Sequence, residues 1–252
     1  EKGIGADTLT NEDLVRRMLF GRGQDPEKRR LIRCCALFAF FGVKDDKSHQ
    51  LAFIAEEVAN VSRESLHRLC NELERRGIIQ QRGRYMHVRP LPLAVRLAAE
   101  WWETVPSGEA QDVVENAEQD LVDPLCQQLE RLKDVENARE IAGELCADGN
   151  SFTQAEVLKT SVGGRIFRAL TVLNPPAAAN ALALAFGDKT TAELLQVEDG
   201  RRQLVRALEH LAFHQETFNT AARLLLHFAA AENEGWANNA TGRFQQLFHI
   251  AL

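Results

Sequence analysis

Residues 61–79, VSRESLHRLCNELERRGII, decide how this 252-residue chain is read. Ser62 stands where a helix N-cap belongs, because a serine hydroxyl accepts a hydrogen bond from a first-turn amide that the helix itself leaves unpaired. Leu66, Leu69, Cys70 and Leu73 then recur at three- and four-residue spacing, on one stripe of a helix over 63–76. Gly77 ends it, since glycine takes the positive φ of a helix stop without steric penalty. Downstream, IIQQRGRYMHVRP (78–90) alternates as two short strands about an Arg82-Gly83 turn. Upstream, QLAFIAEEVA (50–59) reads as a short amphipathic helix and NVS (60–62) as a turn. Farther back, PEKRRLIRCCALFAFFG (26–42) opens with proline in its first turn and carries Leu31, Cys34, Cys35, Phe38 and Phe41 on one face. Its expected end is Gly42, and VKDDKSH (43–49) follows as a polar loop.

Helix, helix, turn, helix and β-hairpin is the order of a winged helix, so the expected fold is mainly α: a helix-turn-helix with a small β-hairpin, then further helices. Composition agrees. The chain is 45% hydrophobic and 26% charged, ordinary for a globular protein. Its long Ala/Leu/Glu/Arg segments favour helix because those side chains lose little rotamer freedom there. The five cysteines, Cys34, Cys35, Cys70, Cys126 and Cys146, stand in apolar contexts without a CxxC pair. That pattern suits buried thiols in a reducing cytosol better than disulfides or zinc. No apolar run reaches the roughly 18–20 residues of a membrane span, and no signal peptide opens the chain. A cytoplasmic protein with no membrane partner is expected.

The net charge of −6 conceals an uneven distribution. Lys and Arg against Asp and Glu number 4 and 6 over residues 1–27, 13 and 7 over 28–90, and 13 and 23 over 91–252, giving −2, +6 and −10. Such asymmetry implies separate modules. The expected divisions are a helical lead-in over 1–27, with Thr10 capping a helix over 11–20 that Gly21 and Gly23 stop; a winged-helix domain over 28–105; and a helical interaction domain over 112–252. LAVRLAAEWWETV (93–105) closes the second division as a helix, and PSGEAQD (106–112) is the expected linker. Beyond it helices are expected over 113–132, 134–147, 151–159, 161–173, 175–186, 190–196, 200–213, 215–231 and 234–252. Asp134, Asp148-Gly149-Asn150, the Asn174 of NPP and the EDG before Arg201 punctuate them. Short connections imply antiparallel neighbours, and Ala-rich faces allow close contact, which together describe a repeat-like array of helical hairpins. Glu1 in place of Met, and a last segment FQQLFHIAL (244–252) that stops within an apolar helical pattern, are expected of a piece of a longer protein.

Motifs that carry chemistry are few. No GxxxxGK[ST] loop occurs, and SVGGR (161–165) lacks the length and the lysine that cradle phosphates. His210 and His214 have the one-turn spacing of metal ligands, but no third ligand follows in sequence, and packed or surface histidines are the plainer reading. Neither a Ser/His/Asp nor a Cys/His arrangement can be assembled, so catalysis within the chain is not expected. If the helix at 63–76 reads DNA, Arg68 and Asn71 contact base edges, and Arg82 and Arg84 on the hairpin contact phosphates. Glu64, Glu72 and Glu74 on the same helix oppose the phosphate backbone that supplies most affinity.

Several stretches bear a family resemblance. EDLVRRMLFGRG (12–23), PEKRRLIRCCALFAFFG, the winged helix and RYMHVRPLPLAVRLAAEWW (84–102) resemble, in that order, the region after the ATPase core of bacterial signal-transduction NTPases with numerous domains, the STAND class. RRQLVRALEHLAFHQETFNTAARLLLHFAAAENEGWANNATGRFQQLF (201–248) resembles the helical sensor of the large antiviral members, most specifically in WANNATGRFQQLF (236–248). The resemblance implies a winged helix that serves as a switch against an ATPase core and helps retain ADP. Plant and animal relatives carry Met-His-Asp after the wing, with the histidine on a nucleotide phosphate. Here YMHV gives Met86 and His87 with Val88 in place of the acid, so the resemblance assigns nucleotide binding to His87 and leaves its orientation without the usual partner.

The expected function is therefore a regulatory and interaction fragment of a STAND NTPase in signal transduction, serving antiphage defence. The resemblance implies ATP or ADP in the parent protein, none held by this fragment alone, an upstream ATPase core as one partner, and a protein trigger on the helical array as another. Nucleic acid is the weaker partner, since the array carries −10. The rival reading is a winged-helix DNA-binding transcriptional regulator whose helical domain senses a ligand; a helical metalloprotein using His210 and His214 ranks third.

Overall fold

The structure is a computed structural model that describes residues 25–232 and 240–249. The expected helix over 11–20, its Thr10 cap and the glycines after it lie outside them. The chain divides into two compact units, Glu1–Trp101 and Trp102–Leu252, so the division falls inside a helix. The architecture is mainly helical, with one three-stranded antiparallel sheet among the described residues.

In the first unit α1 (Pro26–Ala36) begins as expected, with Pro26 in its first turn and Asp25 Oδ1 accepting from the Lys28 amide at 3.0 Å. It stops six residues before Gly42. Phe41–Gly42 leaves as strand β1, because the aromatic run that was read as a helical face suits a pleated, buried edge equally well. Gly42 N donates to Gln50 Oε1 at 2.6 Å, and a Cβ there would stand 2.5 Å from the Lys47 carbonyl oxygen. That approach is open only to glycine. A 3-10 turn, Asp45–Lys47, leads into α2 (Ser48–Phe53), which widens into a π-turn over Ile54–Val58. Asn60, at φ 49°, turns the chain into α3 (Arg63–Arg75).

The opening stretch folds as its sequence dictates. Ser62 Oγ accepts from Ser65 N at 3.3 Å, Leu66, Leu69, Cys70 and Leu73 are buried, and Gly77 takes φ 71°. Strands β2 (Ile79–Arg82) and β3 (Tyr85–Val88) pair Ile79 with Val88 and Arg82 with Tyr85, and β1 adds to the far side of β3. The sheet order is β1-β3-β2. Ile79, Met86 and Val88 point into the core while Tyr85 and His87 point the other way. Helix α4 (Leu91–Thr104) follows. Its Glu100, 4% exposed, receives Arg29 at 3.0 Å and Arg33 at 2.8 Å from α1, and Arg96 at 3.2 Å from its own preceding turn.

A helix stands where a linker was expected: residues 107–112 open α5 (Ser107–Glu115). Proline and glycine near a helix start are tolerated, because the first-turn amides are unpaired in any case, so composition alone misread this segment. The single helix expected over 113–132 is broken after Glu115, and α6 (Gln119–Leu129) follows. Then come α7 (Glu136–Leu145), α8 (Ala155–Leu158), α9 (Ser161–Leu173), α10 (Pro175–Phe186), α11 (Thr191–Leu195), α12 (Arg201–Leu211), α13 (Phe218–Ala230) and α14 (Ala240–His249). The expected bounds of α9 and α10 match, with Thr160 and Asn174 accepting from Gly163 N and Ala177 N as caps. Thr190 and Glu193 make a reciprocal capping box on α11.

Helix α9 packs against α6, α10 and α12, and its SVGGR opening serves that packing rather than a phosphate. A Cβ on Gly164 would lie 3.2 Å from Gln203 Cβ and the Gly200 carbonyl oxygen. Gly200 itself donates to Lys159 O at 2.7 Å, and its own Cβ would collide with the Leu158 carbonyl. Arg201, 6% exposed, donates to Leu194 O at 3.0 Å and to Phe228 O and Ala231 O, each at 2.7 Å. One guanidinium thus closes the C-termini of α11 and α13, with the Phe228 ring 5.1 Å away; burial holds its pKa down to about 10.

Two outcomes follow. Gly200→Ala is expected to lower the unfolding free energy by about 1–3 kcal/mol through overpacking, while Gly108→Ala, where a Cβ meets open space, holds or raises it. Urea denaturation separates them, and equal effects would refute the packing argument. For Glu100, burial opposes ionisation but the hydrogen bonds and charges of Arg29 and Arg33 outweigh it, so its pKa lies below the ordinary value. Its contribution is present above the unfolded carboxylate value of about 4.3 and is lost as pH falls through the folded value. Glu100→Gln should therefore destabilise by about 2 kcal/mol at neutral pH, the arginines' partial exposure discounting the larger figure for a fully buried pair, and the loss should shrink in acid.

Candidate site on the β-hairpin

Gly83, at φ 58°, lets the β2–β3 chain reverse in two residues, and Gln81 Nε2 donates to Gly83 O at 2.6 Å across the turn. The register places Gln80 opposite His87 and Arg82 opposite Tyr85, so these four side chains share the outward face of the hairpin. His87 is half-buried. Its Nε2 accepts from Arg89 Nε at 2.9 Å, which leaves the ring proton on Nδ1. Burial lowers the His87 pKa most, and the charges of Arg89 and Arg82 lower it further. Gln80 Oε1 is buried with no hydrogen-bond partner among the described residues. His87, Arg82 and Arg89 therefore form a cationic niche around a neutral imidazole, and guanidinium forks of this kind match phosphate and carboxylate oxygens.

The other hairpin arginine is already engaged. Arg84 Nη1 donates to Asp46 Oδ1 at 2.5 Å, and its guanidinium lies 6.0 Å from the Tyr85 ring centroid. Asp46 and Tyr85 raise its pKa, with the Asp46 hydrogen bond first. The turn at Asp45–Lys47 thus holds one of the two arginines assigned to phosphates, and Arg82 keeps no ion pair among the described residues.

On α3, Arg68 is exposed and Asn71 is half-buried, its Nδ2 3.5 Å from His67 Nδ1 one turn back. The structure changes the charge balance on which the DNA argument rested. Glu72 turns toward α1, where Lys28 Nζ donates to both carboxylate oxygens at 2.7 and 2.8 Å. Glu74 is half-buried, so the exposed charges of this helix and the turn after it are Arg63, Arg68, Arg75 and Arg76 against Glu64. Sequence spacing put Arg68 and Asn71 on the outward side but could not tell a carboxylate facing solvent from one neutralised by another helix.

All five cysteines are free and buried; burial pushes the Cys34 thiol up to about 11 and those of Cys126 and Cys146 up to about 12, which keeps these three protonated. Cys35 Sγ and Cys70 Sγ meet at 4.0 Å between α1 and α3. His210 and His214 place their Nε2 atoms 3.4 Å apart, and among the described residues no group of three His, Cys, Asp or Glu side chains is arranged to hold a metal ion. No helix among them is long and apolar enough to cross a membrane. Sequence reading passed over Arg89, although a residue two beyond His87 on an extended chain falls on the same face.

His87 is expected to titrate below the roughly 6.5 of a free histidine, and Arg89→Ala to move it back toward that value. Proton NMR of the imidazole checks this; an unshifted midpoint in the native chain would show that the ring is solvated instead of held. Compared with known proteins, the chain matches no family model, no curated relative and no solved structure.

Proposed function

We propose that the chain is a regulatory and interaction segment of a STAND-class NTPase, with a winged-helix switch in its first unit and a helical protein-binding array in its second. The observation that carries the reading is the element order: helix, strand, helix, helix, strand, strand, with the first strand paired to the last. A winged helix is built in this way, since the hairpin needs a third strand to cover one edge and helices to cover its face, as α1 and α3 do here. The hairpin niche supports a phosphate-contacting role for His87: two arginines flank the ring, and a ligand oxygen reaching them would take up Arg82, which has no ion pair among the described residues. The half-buried imidazole is poised to report that event, because an anion beside it raises its pKa. The packed succession of helices in the second unit supports the array, whose −10 charge over residues 91–252 suits a protein trigger better than a nucleic acid.

On this reading the chain alone neither binds ATP tightly nor hydrolyses it, and calorimetry with ATP and ADP tests that directly. In the polypeptide that joins it to an ATPase core, His87→Ala raises basal activity or speeds ADP release by tenfold or more, as a population shift away from the ADP-held form requires. Unchanged ADP occupancy and activity in that variant would remove the switch.

One observation favours a second reading, DNA binding by a transcriptional regulator. With Glu72 neutralised by Lys28, the exposed charges of α3 are mainly cationic, and Arg82 is available on the wing. Binding to duplex DNA whose affinity falls steeply with salt and is lost in Arg68→Ala and Arg82→Ala would establish that reading in place of the switch.

A further inference from the structure

His210 and His214 stand one helical turn apart, where α12 gives way to α13. Their backbones are pinned separately. His210 lies in the last turn of α12, and its carbonyl accepts from Phe213 N at 3.2 Å. The His214 carbonyl accepts from Thr217 N at 3.1 Å and from Phe218 N at 2.9 Å, at the entry to α13. Thr217, 3% exposed, closes the turn between them by donating its hydroxyl to Leu211 O at 2.5 Å. These bonds hold both backbone positions without using either imidazole.

The rings themselves are joined by little. Nε2 of His210 and Nε2 of His214 are 3.4 Å apart, beyond the roughly 2.7–3.2 Å of a good N–H hydrogen bond. The ring planes are inclined at 69° and the centroids lie 5.0 Å apart. Together these distances constrain where the nitrogen lone pairs point. If each Nε2 sat about 2.05 Å from a shared zinc ion, the 3.4 Å separation would subtend about 112° at the metal, close to the tetrahedral angle. With both lone pairs aimed at that ion, the centroids, about 1.15 Å behind each nitrogen, would be about 5.3 Å apart. Nitrogens aimed straight at each other in a hydrogen bond would put them about 5.7 Å apart. The observed 5.0 Å is nearer the first value.

We propose that His210 and His214 form a two-histidine chelate for a zinc ion. Imidazole nitrogen is a preferred zinc donor, and one-turn spacing on a helix brings two such donors to one ion. The square arrangement of copper(II) or nickel(II) needs about 90° between donors, hence about 2.9 Å between the nitrogens, and fits the pair less well. Among the described residues no third His, Cys, Asp or Glu joins the two, so the other positions of the tetrahedron go to water or to a donor brought by another molecule. Arg206, one turn before His210, opposes a cation there, while the acidic excess of residues 91–252 favours one. Affinity therefore rests on the two coordinate bonds and needs both rings. His214 is exposed, so an ion reaches the pair without any opening of the fold. This assignment is independent of the hairpin and of the switch reading.

The test titrates the metal-free 252-residue chain with zinc chloride by calorimetry at a pH of about 8, above the roughly 6.5 of a free histidine. A single ion should bind, and His210→Ala and His214→Ala should each weaken it tenfold or more. His67→Ala is the control, because His67 meets Asn71 at the same spacing instead of a second histidine, and it should leave zinc binding unchanged. Cobalt(II) in place of zinc should show the intense visible absorption of a four-coordinate ion and lose it in His214→Ala. No zinc binding by the native chain, binding that survives both α12 variants, loss of binding in His67→Ala, or the faint spectrum of six-coordinate cobalt would each overturn the site. Circular dichroism of the metal-free variants checks folding; should His210→Ala fail to fold, the exposed His214→Ala variant decides the question.

Discussion

One carboxylate sets the frame of the first unit. Glu100 is 4% exposed and takes three guanidiniums, two from α1 and one from its own helix. Without those partners a buried carboxylate would be costly, and with them it fixes the register of α4 against α1. That register matters for the hairpin, because α4 begins three residues after β3 ends and α1 leads into β1. The face that carries His87 is thus held at both ends of the sheet by elements that Glu100 ties together. Lys28 and Glu72 add a second tie from α1 to α3 at 2.7 Å. Because both partners are partly exposed, it is worth less in energy than in orientation.

Local signals were the legible part of this fold. The Ser62 cap, the Leu66-Leu69-Cys70-Leu73 stripe, the Gly77 stop and the Gly83 turn each depend on residues within a few positions, at most seven, of one another, and each appears where spacing puts it. In the second unit α9 and α10 fall on their expected bounds for the same reason: Thr160 and Asn174 are short-range caps. Errors arose where a distant partner decided the outcome. Phe41–Gly42 is a strand because β3 offers it a ladder, 43 residues away in Gly42↔Tyr85. The segment at 106–112 carries proline and glycine, yet burial of Ala110, Val113 and Val114 makes it a helix. Tertiary packing overrides composition in both.

The candidate site divides in the same way. His87 and Arg82 share a face because the two-residue turn fixes the register and alternation along each strand does the rest. Arg84 belongs to Asp46 and Glu72 to Lys28, pairings that span 38 and 44 residues and leave no trace in spacing. The consequence for function is direct. An acid counted against DNA binding is neutralised by α1, and an arginine counted in favour is engaged by a turn; these two changes offset each other in number but not in place. Cationic surface moves from the tip of the wing to α3.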